Sequence, residues 1–535
     1  MTTAITAPAE RGASASGWLL VGGIVLASLT EAIAGTALSL GRADIIGDIH
    51  ATPDEFAWLD VSYVGAKLTG LGLAPWLVAR VEPRTLLLWA VLAMGAACGL
   101  AAITIRLDLL ILLRAVQGLS GAVLLVCGQA MLFWGWPASR QPMLQAIFAM
   151  GAVVAPATLA PALQGWLIDT ESWAWIFFCV LPLALAAAGL VLVDGFALPA
   201  PSPERRTPDW PGLALFGVAM FGTSWLLSQG SRWDWFETHR IVWLSVIAGA
   251  SLLLFVLRQR RAGSCALLDL SVFRVGDFAF AFVVSFVAGA ALFGSAWLIP
   301  GFAVAALGFT PTDAGLLLLP SGALFVAALL LAAWLMQARG IPPIATVPFG
   351  IGLIMVAMWM LSGSNAGSGA HDMLPAVLLR GLGLGFLFLS ITLIAFGRLA
   401  PATLASGIAI FSIGRQLGGL IGVAWLQTGI DHQIVANQSV LAAALAPGTP
   451  ALAERLGTMT SLLVNRGMET GAAARVATAM LGRAIGGQAI VIAFDTAFAR
   501  VALLFVFAAP VVIAVKIALA RTAKARAAKL AEAAS

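Results

Sequence analysis

The chain has 535 residues, of which 61% are hydrophobic and only 10% charged, and its formal net charge is +5. So few charges cannot coat a water-soluble surface of this size, which excludes an ordinary soluble domain. Apolar runs of ~20 residues recur, each long enough as helix to cross a ~30 Å hydrocarbon core, so the positive charge reports membrane topology rather than a nucleic-acid partner. The alternating pattern of a membrane β-barrel is absent.

The spans predicted in chain order are 17–40, 56–79, 85–105, 107–131, 142–167, 173–193, 210–229, 240–258, 277–304, 311–336, 342–362, 372–397, 403–430 and 491–519. The run from Gly17 is longer than a signal-peptide core and is expected to be an uncleaved first span. Trp18, Trp58, Trp173 and Trp210 fall near span ends, where indoles prefer the boundary between water and hydrocarbon. This is an all-α membrane protein of about fourteen spans.

The Lys/Arg distribution sets the expected orientation. One set of loops carries Arg80, Arg84, Arg140, Arg205, Arg206, Arg258, Arg260, Arg261, Arg274, Arg339 and Arg398, and the tail adds Arg521, Lys524, Arg526 and Lys529. The opposite loops carry only Arg42, Arg106, Arg232 and Arg240. Both termini are therefore expected in the cytoplasm of a bacterial inner membrane. His50, His239, His371 and His432 then face outside. Of four cysteines, Cys98, Cys127 and Cys179 lie in apolar runs and Cys265 in a basic loop. None has disulfide or metal-ligand spacing.

A Pro-rich, charged stretch at 194–210 ends the first six spans, two further spans follow, and six more begin near Asp277. The expected organisation is an N-terminal six-helix bundle over 1–193, linkers and two extra helices over 194–276, and a C-terminal six-helix bundle over 277–535. The last contains a long loop, 431–490, whose segments at 451–467 and 471–484 have helical spacing. They are expected to fold onto the membrane surface or a partner. A weak internal repeat joins the two sixes. Asp108 precedes LLR at 112–114 and Asp372 precedes LLR at 378–380, and each Arg is followed by small residues. Repeated six-helix halves are a mark of secondary transporters.

Ionisable residues inside spans are few: Glu31, Asp60, Lys67, Arg114, Arg380, Arg415, Asp495 and Arg500. A charge in hydrocarbon needs a partner or water, so each is a functional candidate. Helical rise puts Arg114 ~10 Å, Arg380 ~12 Å, Glu31 ~14 Å and Lys67 ~17 Å from the outer ends of their spans. Glu31 and Arg114 are therefore expected to meet at one level, as a static ion pair or as a site that gains and loses a proton. Asp60, about a turn from the surface, is expected to be solvated.

RAVQGLSGA (114–122) resembles the R-x-x-Q-G motif in the fourth span of the major facilitator superfamily. GAVVAPATLAPALQGWLIDTESWAWIFF (151–178) resembles the antiporter motif of its fifth span, matching at Gly151, Ala155, Pro156, Pro161 and Gly165. With fourteen spans, the match is to EmrB/QacA-like drug:proton antiporters. LLDLSVFRVGDFA (267–279), AGLLLLPSG (314–322) and SIGRQLGGLIGVA (412–424) resemble further stretches of that group. There are departures. Ala160 and Gln164 replace two motif glycines, Ala174 replaces an Arg, and LTEAIAGTALSL (29–40) carries Glu31 where the family has Asp and lacks its Pro.

The resemblance implies two six-helix bundles plus two extra central helices, and proton-coupled export of small amphiphilic drugs or toxic compounds by alternating access. Proton coupling is expected at Glu31, Arg114 and Asp60, and the acid kept at Glu31 in the resemblance favours it. The substrate cavity falls at Lys67, Gln117, Arg380, Arg415 and Gln416, and a cytoplasmic gate at Arg80 and Arg84. The small residues and prolines of the fifth span would bend it and let it pack closely. No metal or cofactor is expected beyond the proton gradient, and no nucleic acid. The expected partners are the lipid bilayer, an amphiphilic substrate, and a periplasmic adaptor with an outer-membrane channel. The readings set against this are a dedicated exporter of one endogenous metabolite or siderophore-like product, a membrane-embedded enzyme, and a non-transporting receptor.

Overall fold

The computed structural model describes residues 15–196, 209–261, 266–443 and 450–534, with side chains of the last helix described as far as Ala508. Arg205, Arg206, Cys265, most of the Pro-rich linker and the side chains of Arg521, Lys524, Arg526 and Lys529 lie outside the described residues. The first six predicted spans are built by α1 (Ala15–Thr36), a short α2 (Arg42–Asp48), α3 (Pro53–Arg80), α4 (Pro83–Ala102), α5 (Leu107–Gly135), and a fifth span in three pieces. Those pieces are α6 (Gln141–Ala149), a π-helical segment (Met150–Leu159) and α7 (Ala160–Thr170); α8 (Ala174–Phe178) and α9 (Val180–Val193) make the sixth. Next come α10 (Trp210–Gln229) and α11 (His239–Arg261). The remainder is α12 (Gly276–Ala305), α13 (Pro311–Leu316), α14 (Leu319–Arg339), α15 (Thr346–Leu361), α16 (Ala370–Phe396), α17 (Pro401–Ala443), α18 (Pro450–Asn465) and α19 (Thr470–Ala534).

Thirteen helical stretches among the described residues are long and apolar enough to cross a membrane. The 28-residue α3, which carries Asp54, Glu55, Asp60, Lys67 and Arg80, is not among them. It completes the expected set of fourteen through its length and its continuous packing along α5 and α10. Its start is set locally. Thr52 accepts a hydrogen bond from the Glu55 amide while the Glu55 carboxylate accepts from the Thr52 amide, and Pro53 follows at the first helical position. The three described cysteines are free thiols.

Helices pack within groups and between them. Within the first, α5 lies on α3 and α4, and α1 on α9 and the π-helical segment. Within the second, α16 lies on α14 and α15, and α12 on α17 and α19. Glycines permit the closest approaches. A Cβ on Gly118 of α5 would lie 2.2 Å from the Tyr63 carbonyl of α3, and one on Gly381 of α16 would lie 2.1 Å from the Ser321 carbonyl of α14.

Two placements differ from the sequence reading. The extra helices are central in the chain but peripheral in space: α10 sits against α3 and touches α17, along the seam between the halves, and α11 packs outside α10. Phe216 and Phe221 of α10 fill the hollows over Gly72 and Gly65 of α3. The outermost position of α11 explains its exposed Trp243, Val246, Leu253 and Leu254, which suit contact with lipid chains. The second difference is 431–490, which is not a long loop. Helix α17 runs on to Ala443 and α19 already begins at Thr470. At ~1.5 Å per residue both are far longer than a ~30 Å core requires. Their extensions touch, with Asn437 Nδ2 donating to the Ala489 carbonyl at 3.4 Å, and α18 packs on α19.

Candidate functional site

Three residues on one face of α3, Asp60, Tyr63 and Lys67, stand three and four positions apart and so line up along the helix. Tyr63 is the sole tyrosine in the chain. Facing them is Glu31 on α1, 2% exposed. Lys67 Nζ lies 2.5 Å from Glu31 Oε1, and the Tyr63 hydroxyl donates to the same oxygen at 2.8 Å. Lys67 remains 12% exposed, whereas the Glu31 carboxylate is sealed. The carboxylate is held close by Gly121 of α5, where an added Cβ would fall 2.7 Å from Glu31 Cγ.

Arg114 is also buried, and its partners are different. Its Nη1 donates to the Ala34 carbonyl at 2.6 Å and to Gln117 Oε1 at 3.0 Å, and its Nε to the Leu59 carbonyl at 3.4 Å. Its acid is Asp60, with Nη2 3.9 Å from Oδ1 on a side chain that is about half exposed. The guanidinium lies 4.2 Å over the Tyr63 ring. The pairing of Glu31 with Arg114 expected from depth is therefore corrected. Tyr63 stands between them, its hydroxyl on Glu31 and its face under Arg114. Helical rise fixes height along the bundle and leaves the direction of each side chain open, so the sequence could not choose between Arg114 and Lys67.

The second half repeats the arrangement without the acids. Arg380 is fully buried on α16 and donates from Nε to Ser295 Oγ of α12 at 2.8 Å and from Nη1 to Ser321 Oγ of α14 at 3.2 Å. The fourth-span arginine thus bridges the first and second spans of its own half in both cases. Arg415 of α17 lies about 6 Å from the Phe388 and Phe411 rings and within electrostatic reach of Glu31. Gln416 is half-buried beside it. Gln117 is fully buried and its amide nitrogen has no partner. Arg500 of α19 covers Gly429 of α17, and Asp495 is half-buried. At the Arg-rich end, Arg80 lies over the Trp76 ring at 5.3 Å and Arg84 Nε donates to the Val191 carbonyl at 2.9 Å.

The fifth span joins the halves at the opposite end. Gly165 of α7 abuts Pro311 of α13, where a Cβ would lie 2.2 Å from the Pro311 carbonyl, and Gly315 of α13 abuts Pro161 in return. Thr312 donates from its amide and its hydroxyl to Asp169 Oδ2 at 2.8 Å and 2.5 Å. Pro156 lies within the π-helical turn, and the Cβ of a residue at Gly151 would meet the Val25 carbonyl of α1 at 2.8 Å. A π-helix accommodates the backbone irregularity a mid-span proline brings.

A family model described as Major Facilitator Superfamily matches residues 20–423. The chain belongs to that superfamily. "Multidrug export protein EmrB" of Escherichia coli is 25% identical over 423 residues, covering 78% of this chain and 81% of that one. "Multidrug resistance protein B homolog" of Mycobacterium tuberculosis is 29% identical, covering 80% and 78%. "Fatty acid resistance protein FarB" of Neisseria gonorrhoeae is 24% identical, covering 91% and 94%. Among solved structures, a bacterial homolog of the human lysosomal transporter Spinster superposes with a TM-score of 0.56 at 13% identity, over 95% of this chain and 99% of that one, which shows the shared fold. A major facilitator family and fold are those of a multi-pass membrane transporter and not of an enzyme.

Within this major facilitator frame, two residues matter that sequence reasoning did not place in the site. Tyr63 carried a signal, being the only tyrosine and lying between two charged residues on one helix face. Gln164, noted only as a departure from a glycine, is fully buried. It donates to the Ile33 carbonyl at 3.2 Å and to Thr36 Oγ1 at 2.8 Å, and accepts from Ser39 Oγ at 3.0 Å. The Ile33 and Ala34 carbonyls in the last turn of α1 are thus satisfied by Gln164 and Arg114 respectively. Helix ends inside a membrane need such partners, and α1 ends here without the proline of the family pattern.

Proposed function

We propose that this protein is a proton-coupled antiporter that exports small amphiphilic drugs or toxic organic compounds across a bacterial inner membrane by alternating access. The observation that carries the reading is the sealed carboxylate of Glu31, held by Lys67 and Tyr63 where α1, α3 and α5 converge and within reach of Arg415 in the other half. A proton arriving on a Glu31 oxygen cancels its charge, ends its attraction to Lys67 and loosens α1 from α3. Losing that proton on the other side restores the link. The reading divides the chain into a six-helix half at 1–193, a middle segment at 194–276 and a second half at 277–535. In it both termini are cytoplasmic, as the arginine bias favours. The α7–α13 contact is then the outer seal, Arg80 and Arg84 belong to the inner gate, and Lys67, Gln117, Arg380, Arg415 and Gln416 flank the substrate path. The multidrug names of the relatives support a broad substrate range. The projecting ends of α17 and α19 with α18 are the surface offered to a periplasmic adaptor and outer-membrane channel.

The test is a substrate panel in proteoliposomes with an imposed pH gradient. Glu31→Gln is expected to retain substrate binding and lose gradient-driven transport. Uphill transport by that variant refutes the coupling role. Export confined to one metabolite in the same panel favours a dedicated exporter instead.

A further inference from the structure

The two fourth-span arginines are equivalent in position but not in satisfaction. Arg114 finds three oxygen acceptors and an acid, and although its Nη2 also makes no hydrogen bond, that nitrogen faces Asp60 at 3.9 Å. Lys67 has Glu31. Arg380 is the largest buried cation of the second half and has no carboxylate partner among the described residues; its neighbours are two hydroxyls. Its Nη2 is shut off from solvent and has no hydrogen-bond partner among the described residues. The Ser321 hydroxyl accepts from Arg380, and its own proton goes to no acceptor among the described residues. Ser295, by contrast, donates to the Leu292 carbonyl at 3.2 Å. The niche between α12, α14 and α16 therefore presents a guanidinium and the Ser321 hydroxyl, with no carboxylate against them among the described residues. A permanent positive charge so placed in hydrocarbon is costly unless an anion meets it.

We propose that Arg380, with Ser321, is the subsite that takes the carboxylate of an anionic amphiphilic substrate. The inference rests on the export reading and adds the substrate's charge class. A carboxylate accepts two parallel N–H bonds from one guanidinium edge, which a neutral amide cannot do, so the preference is geometric as well as electrostatic. Access fits the fold. Gly322, next to Ser321, packs on Thr158 of the π-helical segment, so the niche lies one helix behind the contact between halves. Parting of that contact exposes it. The proton site at Glu31 and the anion site at Arg380 then sit in different halves and are coupled by the movement between them.

The experiment compares 1-naphthoate with 1-naphthamide on the full-length protein in detergent, with no gradient present. Naphthoate is expected to raise the thermal transition and naphthamide to leave it unchanged. Arg380→Gln should weaken naphthoate binding at least tenfold, Arg380→Lys should restore part of it, and Ser321→Ala should weaken it several-fold. If Arg380→Gln does not fold, the acid-against-amide comparison on the unaltered protein and the Ser321→Ala variant decide. Equal stabilisation by acid and amide, or naphthoate binding that survives Arg380→Gln, overturns the proposal. Because binding is read at equilibrium, this outcome is independent of gradient-driven transport in the Glu31→Gln vesicles.

Discussion

Gly165→Ala tests whether the α7–α13 contact holds the halves together at that end. The added Cβ would sit 2.2 Å from the Pro311 carbonyl oxygen, 2.7 Å from its carbonyl carbon and 3.0 Å from the Thr312 nitrogen. Non-bonded carbons prefer roughly 3.5 Å or more, so α7 and α13 must part by about 1 Å. All three atoms are backbone, and no side chain can swing away to absorb the shift. Overpacking of this kind costs about 1–3 kcal/mol. The same movement stretches the two bonds from Thr312 to Asp169. A bias of about 1–3 kcal/mol between two conformations corresponds to a shift of roughly 5- to 150-fold in their ratio. Spin labels at Trp166 and Leu316, both exposed at this end, read it as a distance distribution in a cysteine-free background. Gly165→Ala is expected to move population from the short to the long distance. Gly189→Ala, whose Cβ meets nothing within 4 Å, is the control. A distribution identical to that of the parent refutes the reasoning, because the contact would then bear no part of the balance.

Further changes probe the charged core. Lys67→Met leaves the buried Glu31 without its cation, a loss of about 3–5 kcal/mol for a broken buried pair, and should lower both the thermal transition and the transport rate. Tyr63→Phe keeps the ring under Arg114 and removes one hydrogen bond to a charged group, so its cost should be smaller, about 1.5–3 kcal/mol; a drop equal to that of Lys67→Met would contradict the assigned partners. Gln164→Gly restores the family's glycine but leaves the Ile33 carbonyl unpaired, at about 1–3 kcal/mol, and a melt of the purified protein that is unchanged would remove Gln164 from the α1 terminus.

Fold class was legible because it depends on quantities that run along the chain. Apolar length gives spans, and motif residues such as Gly151, Pro156 and Gly165 are read in order. The likeness of Arg114 to Arg380 survived as well, since each reaches to the first and second spans of its half. Helical spacing is legible at 451–467 and 471–484, of which 451–465 falls in α18 and 471–484 in α19, but the continuity of α17 and α19 across the polar stretch is hidden by its composition.

By itself the sequence determined that the chain is helical and membrane-embedded, and which family it joins. Apolar length dictates the first and motif residues read in order carry the second, neither with reference to a neighbour in space. Only the tertiary structure decided that Glu31 goes to Lys67 and Arg114 to Asp60, that α10 fills the seam, and that Gln164 closes the end of α1. Those choices depend on the rotation of each helix about its axis, and close packing against other helices sets that rotation.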